Sequence, residues 1–129
     1  RRGQIMSSAL TDQQATSADP DAWLPVCNLD RLWLDRGAAA LVNQEQVAIF
    51  RLSGGEVCAV GHRDPFTGAN VIARGLVGSR AGTPIVISPL HKQAFDLRTG
   101  VCLDDPEVGL GHWDVKVEDE VVWLRRSAA

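Results

Sequence analysis

Few residues in this chain are of a type and spacing that could do chemistry. The best placed are His62, Asp64 and His91. Two imidazoles and one carboxylate form the donor set of a mononuclear iron site. His62 and Asp64 lie two apart, so they share a side if their loop is extended. Three such residues also arise readily by chance, and the alternative reading is that they are solvated loop residues. His112 has no partner in the sequence and reads as a surface residue. The three cysteines, Cys27, Cys58 and Cys102, are odd in number, widely spaced and form no CxxC. They make neither a disulfide framework nor a paired-thiolate zinc site. Three reduced thiols suit a cytoplasmic protein. Cys58 stands four residues before His62, but a strand entering a loop need not bring them together. Cys58 reads as a small core filler, and Cys27 and Cys102 as buried or turn thiols. There is no GxSxG elbow, no Gly-rich loop opening a helix, and no nucleophile with an evident base.

The elements that would position such residues are strands. The chain has 129 residues, 45% hydrophobic and 22% charged, enough for one domain with a core. Its net charge of −3 argues against nucleic-acid binding, which favours a basic face. No apolar run approaches the roughly 20 residues of a membrane helix. Arg1-Arg2 is followed by no apolar stretch, so no export signal is read. Residues 1–20 contain no aromatic side chain and are rich in Ser, Thr, Gln, Asp and Ala. They are expected to be a disordered or loosely docked tail, in part an addition to the natural chain, with the folded domain over residues 21–129. Asn28 to Leu32 fits one helical turn with Asn28 as its cap. Ala39–Val42 and Gln46–Leu52 read as a hairpin across Asn43-Gln44-Glu45, followed by a strand over Glu56–Val60. Two loops interrupt the pattern, Gly61–Gly75 and Ser88–Lys92, with a buried strand over Thr83–Ile87 between them. Gln93–Leu97 and Val101–Leu103 form another expected hairpin. In the last one, Trp113, Val115 and Val117 alternate with polar residues, and Asp119-Glu120 turns the chain into Val121–Leu124. Trp23, Trp33, Trp113 and Trp123 read as core or edge anchors; Trp33, in a charged stretch, is the best candidate for an outside contact. The sum is an all-β fold, a small antiparallel sandwich or barrel with two protruding loops.

The two loops carry a recognisable layout. Asp64-Pro65-Phe66 precedes Gly68-Ala69, and Ser88-Pro89-Leu90-His91 precedes Phe95-Asp96-Leu97 and Thr99-Gly100. This resembles the Rieske domain, whose first loop holds Cys-x-His and whose second holds Cys-Pro-x-His. On that layout Asp64 and Ser88 take the cysteine positions, Phe66 the first histidine position and His91 the second. A Rieske [2Fe–2S] centre needs two thiolates and two imidazoles. Only His91 matches, so the resemblance implies a domain without its cluster, with Phe66 filling the space a cluster would take. Within that family the chain is similar to small subunits of NAD(P)H-dependent assimilatory nitrite reductase. The residues carrying this are Val47–Arg51, Asp64-Pro65-Phe66, Arg74–Val77, Ser88-Pro89-Leu90 with Lys92-Gln93, and Phe95-x-Leu97-x-x-Gly100-x-Cys102. The subfamily usually has Lys where His91 stands. The resemblance implies a cytoplasmic accessory subunit with no catalytic residue and no cofactor of its own. Its partner would be a large subunit with FAD, a [4Fe–4S] cluster and siroheme, which reduces nitrite to ammonium. The expected docking face comprises Asp64, Pro65, Phe66, Arg74, Leu90, His91, Lys92 and Gln93, with Ser88 among them. The alternatives are a Rieske-type electron-transfer ferredoxin or an adaptor of another oxidoreductase complex.

Overall fold

The computed structural model describes residues 14–15, 22–90 and 92–126. Among the described residues there are ten strands: β1 (Gln14–Ala15), β2 (Leu24–Asn28), β3 (Arg36–Val42), β4 (Glu45–Arg51), β5 (Val57–Gly61), β6 (Leu76–Arg80), β7 (Thr83–Ile87), β8 (Ala94–Asp96), β9 (His112–Glu118) and β10 (Val121–Arg126). Seven form one sheet in the order β1-β3-β4-β5-β9-β10-β2, and β6-β7-β8 form a second. Every pairing is antiparallel except β1 on β3. β1 also touches β2, so the large sheet curls toward closure as a barrel. The expected all-β fold is therefore correct. Among the described residues no helix is long and apolar enough to cross a membrane.

Three hairpins share one device. The turns Asn43-Gln44, Ala81-Gly82 and Asp119-Glu120 each place both central residues at positive φ. Their flanking residues pair directly, Val42 with Glu45, Arg80 with Thr83 and Glu118 with Val121. Such two-residue turns match the right-handed strand twist, so register is set locally.

Strand β4 explains how the two sheets are joined. Its residues Val47 to Phe50 are all buried. Val47 and Ile49 face inside the curled sheet, with Val26, Val42, Trp113, Val122 and Leu124. Ala48 and Phe50 point the other way, toward Val60, Ile72, Val86, Phe95 and Leu97. A strand buried on both faces reads as a continuous apolar run, as Val47–Phe50 does. The second core is what seats the small sheet and the two loops on the large one.

Several elements differ from expectation. β6 was not foreseen, because Leu76-Val77-Gly78-Ser79-Arg80 offers little buried surface and lies at a sheet edge. Val101–Leu103 forms only isolated bridges, Phe95 to Cys102 and Val101 to Gly109. The turn after β2 is a short 3₁₀ segment, Leu29–Arg31, and the Asn28 side chain makes no capping bond to it. Gln14 and Ala15, inside the expected tail, pair with Leu41 and Val42; the other residues of 1–20 lie outside the described ones. Trp113 is a core anchor, whereas Trp33 is 63% exposed. Trp23 and Trp123 are half-buried, and the Lys116 ammonium lies over both rings. His112 is half-buried in β9 rather than a free surface residue.

Candidate functional site

The two protruding loops meet through two short polar side chains. Asp64 is fully buried and Ser88 almost so. The Ser88 hydroxyl donates to Asp64 Oδ2 at 2.5 Å. Asp64 Oδ1 accepts from the Phe66 amide at 2.8 Å, and Ser88 Oγ accepts from the Leu90 amide at 3.3 Å. Each loop is thus turned by its own short polar side chain two residues on, and the two turns are tied to each other.

Backbone bonds close both loops. Asp64 N–H donates to the Ala69 carbonyl at 2.8 Å, and Gly68 N–H donates to the Asp64 carbonyl at 2.7 Å. In the second loop Ser88 N–H donates to the Gln93 carbonyl at 2.9 Å, and Lys92 N–H to the Ser88 carbonyl at 3.1 Å. Lys92 reaches this geometry in the left-handed region, φ 62°. A buried carboxylate is tolerated only with its lone pairs engaged, and here both oxygens are.

These contacts correct two expectations. Asp64 is no solvated loop residue, and it is too buried to touch a partner. Phe66 does not fill the interior: it is 40% exposed, its ring 6.3 Å from that of Phe95. The space between the loops is closed by the Asp64–Ser88 hydrogen bond, while the backbone turn at Phe66 sends its ring outward.

His62 is likewise buried. Its Nδ1 accepts the Ala73 amide at 3.1 Å, and its carbonyl accepts the Val71 and Ile72 amides. It pins the 3₁₀ turn Ile72–Arg74 that leads into β6. Burial, and secondarily the charge of Arg74, pushes its pKa down to about 4. At neutral pH His62 is therefore an uncharged acceptor with a structural task. His91 lies outside the described residues. Among those described, no three His, Cys, Asp or Glu side chains converge as a metal site. His62 Nδ1 and both Asp64 oxygens are engaged within the chain, which disfavours the candidate mononuclear triad.

The rest of the expected docking face divides in two. Pro65, Phe66, Leu90 and Lys92 are exposed on the paired loops, and Gln93 is half-buried beside them. Arg74 lines a groove with Arg36 and Leu76. The sequence reading missed this groove. Its only signal was the apolar Trp33-Leu34 within a charged stretch.

The arrangement of paired loops on a small sheet above a curled seven-stranded sheet finds its counterpart among known proteins. Residues 22–125 match the model of the Rieske-like [2Fe–2S] domain. The chain belongs to this Rieske-like family. Within it, the nitrite reductase (NADH) small subunit of Escherichia coli K12 is 39% identical over 104 residues, 80% of this chain and 96% of that one. A crystal structure from Mycobacterium tuberculosis, assigned as an NADH-dependent nitrite reductase small subunit, superposes with a TM-score of 0.80 at 43% identity. It covers 86% of this chain and 100% of that one. The nitrite reductase [NAD(P)H] large subunit of Klebsiella oxytoca is 38% identical over 123 residues, 95% of this chain but only 13% of its own length. This chain thus spans a small part of that relative and nearly all of the E. coli one.

The Rieske-like chain does not offer the donors of its family's cluster. Asp64 and Ser88 bring oxygens, already bonded to each other, where thiolates are required. Phe66 has no lone pair at all. Cys27, Cys58 and Cys102 are buried elsewhere: Cys27 inside the curled sheet, Cys58 and Cys102 in the second core. Burial pushes the Cys27 and Cys58 thiols up to about 12, so neither supplies a thiolate. The residues present do not fit a [2Fe–2S] cluster.

Proposed function

We propose that this chain is the accessory small subunit of a cytoplasmic NAD(P)H-dependent nitrite reductase. It carries no catalytic residue and no cofactor, and it docks on a large subunit that holds FAD, [4Fe–4S] and siroheme and reduces nitrite to ammonium for assimilation. The observation that carries this reading is the Asp64–Ser88 hydrogen bond at 2.5 Å, which joins the two residues that the resemblance sets at cysteine positions. The likeness to small subunits at about 40% identity supports the choice of complex. Association is supported by the Klebsiella relative, in which a matching segment lies inside a chain named as a large subunit.

Docking involves the exposed side chains of the paired loops, Pro65, Phe66, Leu90 and Lys92, together with Gln93, Arg74 and His91. A preorganised loop pair costs little conformational entropy on binding. Co-expression with the large subunit of the same host tests the reading. A stable complex is expected, with iron and acid-labile sulfide accounted for by the large subunit. The isolated small subunit is expected to be colourless, with no visible absorption from an iron–sulfur cluster. A coloured isolated chain with stoichiometric sulfide would establish an electron carrier instead. Failure to associate would remove the subunit assignment.

A further inference from the structure

A second surface stands out beside the loops. A groove of about 350 Å³ runs between the start of β3 and the start of β6. Small residues make it concave: Gly37, Ala38, Ala39, Ala73 and Gly75 line it. Its shape is fixed, because a Cβ at Gly37 would come within 2.4 Å of the Ala73 carbonyl oxygen and 2.6 Å of the Phe50 ring.

Of the three most exposed large apolar side chains among the described residues, one lines the groove and two lie next to its lining in the chain. Leu76, 71% exposed, lines the groove, and Trp33 and Leu34, 63% and 54% exposed, precede its edge at Asp35 and Arg36. Arg51 holds that approach in place by donating to the Leu29 and Leu32 carbonyls, both at 3.4 Å. The Arg36 guanidinium lies 5.4 Å from the Trp33 ring centroid, a stacked cation–π pair. Exposed apolar patches of this kind mark interaction sites, and Trp and Arg are the residue types that dominate binding energy.

Charge selects the occupant. Arg36 and Arg74 both line the groove, and neither is in an ion pair among the described residues. The one carboxylate there, Asp35, accepts from the backbone amide of Ser53 at 3.0 Å and from its hydroxyl. In a chain of net charge −3, this is a locally cationic surface with its acid already engaged.

We infer that this groove docks a segment of the large subunit in which an apolar side chain is flanked by carboxylates. The apolar side chain seats between Leu76 and Trp33, and the carboxylates meet Arg36 and Arg74. This rests on the subunit reading above and extends the docking surface beyond the paired loops. A second copy of the chain is disfavoured, since a two-fold contact centred on the groove would bring two copies of its cationic lining together.

Titration of the full chain with the purified large subunit of the same host, at low and high salt, tests this. Trp33→Ser, Leu76→Ser and Arg36→Glu alter exposed side chains and are expected to leave the circular dichroism spectrum and urea midpoint unchanged. Each should weaken binding at least about tenfold. Wild-type affinity should fall with salt, and the Arg36→Glu chain should show a flatter dependence. If these variants bind like wild type while Leu90→Ser or Lys92→Glu does not, docking is confined to the loops and the groove is not part of it. If the wild-type chain ignores the large subunit, the subunit reading fails and this inference with it. A concentration-dependent dimer abolished by Trp33→Ser would assign the groove to a second copy and overturn the inference.

Discussion

The Ser88 hydroxyl donates to Asp64 Oδ2 at 2.5 Å across the two loops, with both residues removed from solvent. On the layout of the resemblance these are the two cysteine positions, and here one short hydrogen bond joins them. The loops retain their turns because Asp64 Oδ1 and Ser88 Oγ each accept an amide two residues on. This bond and the two turns close the loop pair, and Pro65, Phe66, Leu90 and Lys92 stay exposed on it.

Asp64→Ala is expected to lower stability by about 2–4 kcal/mol. It strands the buried Ser88 hydroxyl, costing about 1–3 kcal/mol when unsatisfied, and frees the part-buried Phe66 amide at a smaller cost. Ser88→Ala should cost about 1–3 kcal/mol for the same reason. The double variant should lose less than the two singles combined, because the second change removes a group the first left unpaired. Urea unfolding of the four chains measures the coupling. Strict additivity would mean that the two side chains do not act on each other.

Phe66→Ala provides a contrasting case. A fully buried Phe would cost about 3–5 kcal/mol when truncated. Phe66 is 40% exposed, and among the described residues its aromatic neighbour is Phe95. The expected loss is below about 1.5 kcal/mol, read from the urea midpoint. A core-sized loss would restore Phe66 as the filler of the interior.

These two cases mark where sequence reading works and where it stops. The hairpins were readable because their turns and alternation are local: Asn43-Gln44 and Asp119-Glu120 sit where two-residue turns belong. The double burial of β4 was visible as the unbroken run Val47–Phe50. Asp64 and His62 were misread as solvated, because their burial depends on partners 24 and 11 residues away, Ser88 and Ala73. Hydrogen-bond satisfaction across loops leaves no periodicity to read. β6 escaped for another reason: an edge strand with Leu76 in solvent has no buried face to signal it. The groove beside it needs β3 and the turn after His62 to approach each other, which no single stretch of sequence reveals.

The three thiols should be inert in the folded protein. Cys27 and Cys102 are fully buried and Cys58 nearly so, and burial pushes Cys27 and Cys58 up to about 12. A thiol reagent at pH 8 should modify less than one cysteine rapidly in native buffer and all three in denaturant. Rapid native labelling would show that a core opens far more readily than its packing implies.

Gly37→Ala should destabilise the chain and distort the groove together. Its new methyl would meet the Ala73 carbonyl oxygen at 2.4 Å and the Phe50 ring at 2.6 Å, so β3 must move away from the Ile72–Arg74 turn. Overpacking of this kind costs about 1–3 kcal/mol. Gly54→Ala is the control, since nothing lies within 4 Å of its Cβ position. Thermal unfolding should separate the two by several degrees, given about 4–8 °C per kcal/mol for a domain of this size. Equal midpoints would mean that the close approach of β3 and the turn is not a constraint.

His62 makes stability depend on pH in a stated direction. Its folded pKa, about 4, lies below the ordinary value of 6.5 because burial and Arg74 oppose the charged form. The unfolded chain therefore binds the proton more readily between those values, and acid favours unfolding. The contribution is fully present above pH 6.5 and is lost progressively as pH falls toward 4. Protonation at Nδ1 also removes the acceptor for the Ala73 amide, releasing the turn that carries Arg74 into the groove. In His62→Asn the side-chain carbonyl can still accept that amide but does not titrate in this range, so the urea midpoint should decline less steeply between pH 7 and 4.5 than in wild type. Nuclear magnetic resonance of the imidazole should show His62 neutral at pH 5.5. An imidazole that titrates near 6.5, with equal acid slopes for both chains, would show that His62 is not held neutral by its surroundings.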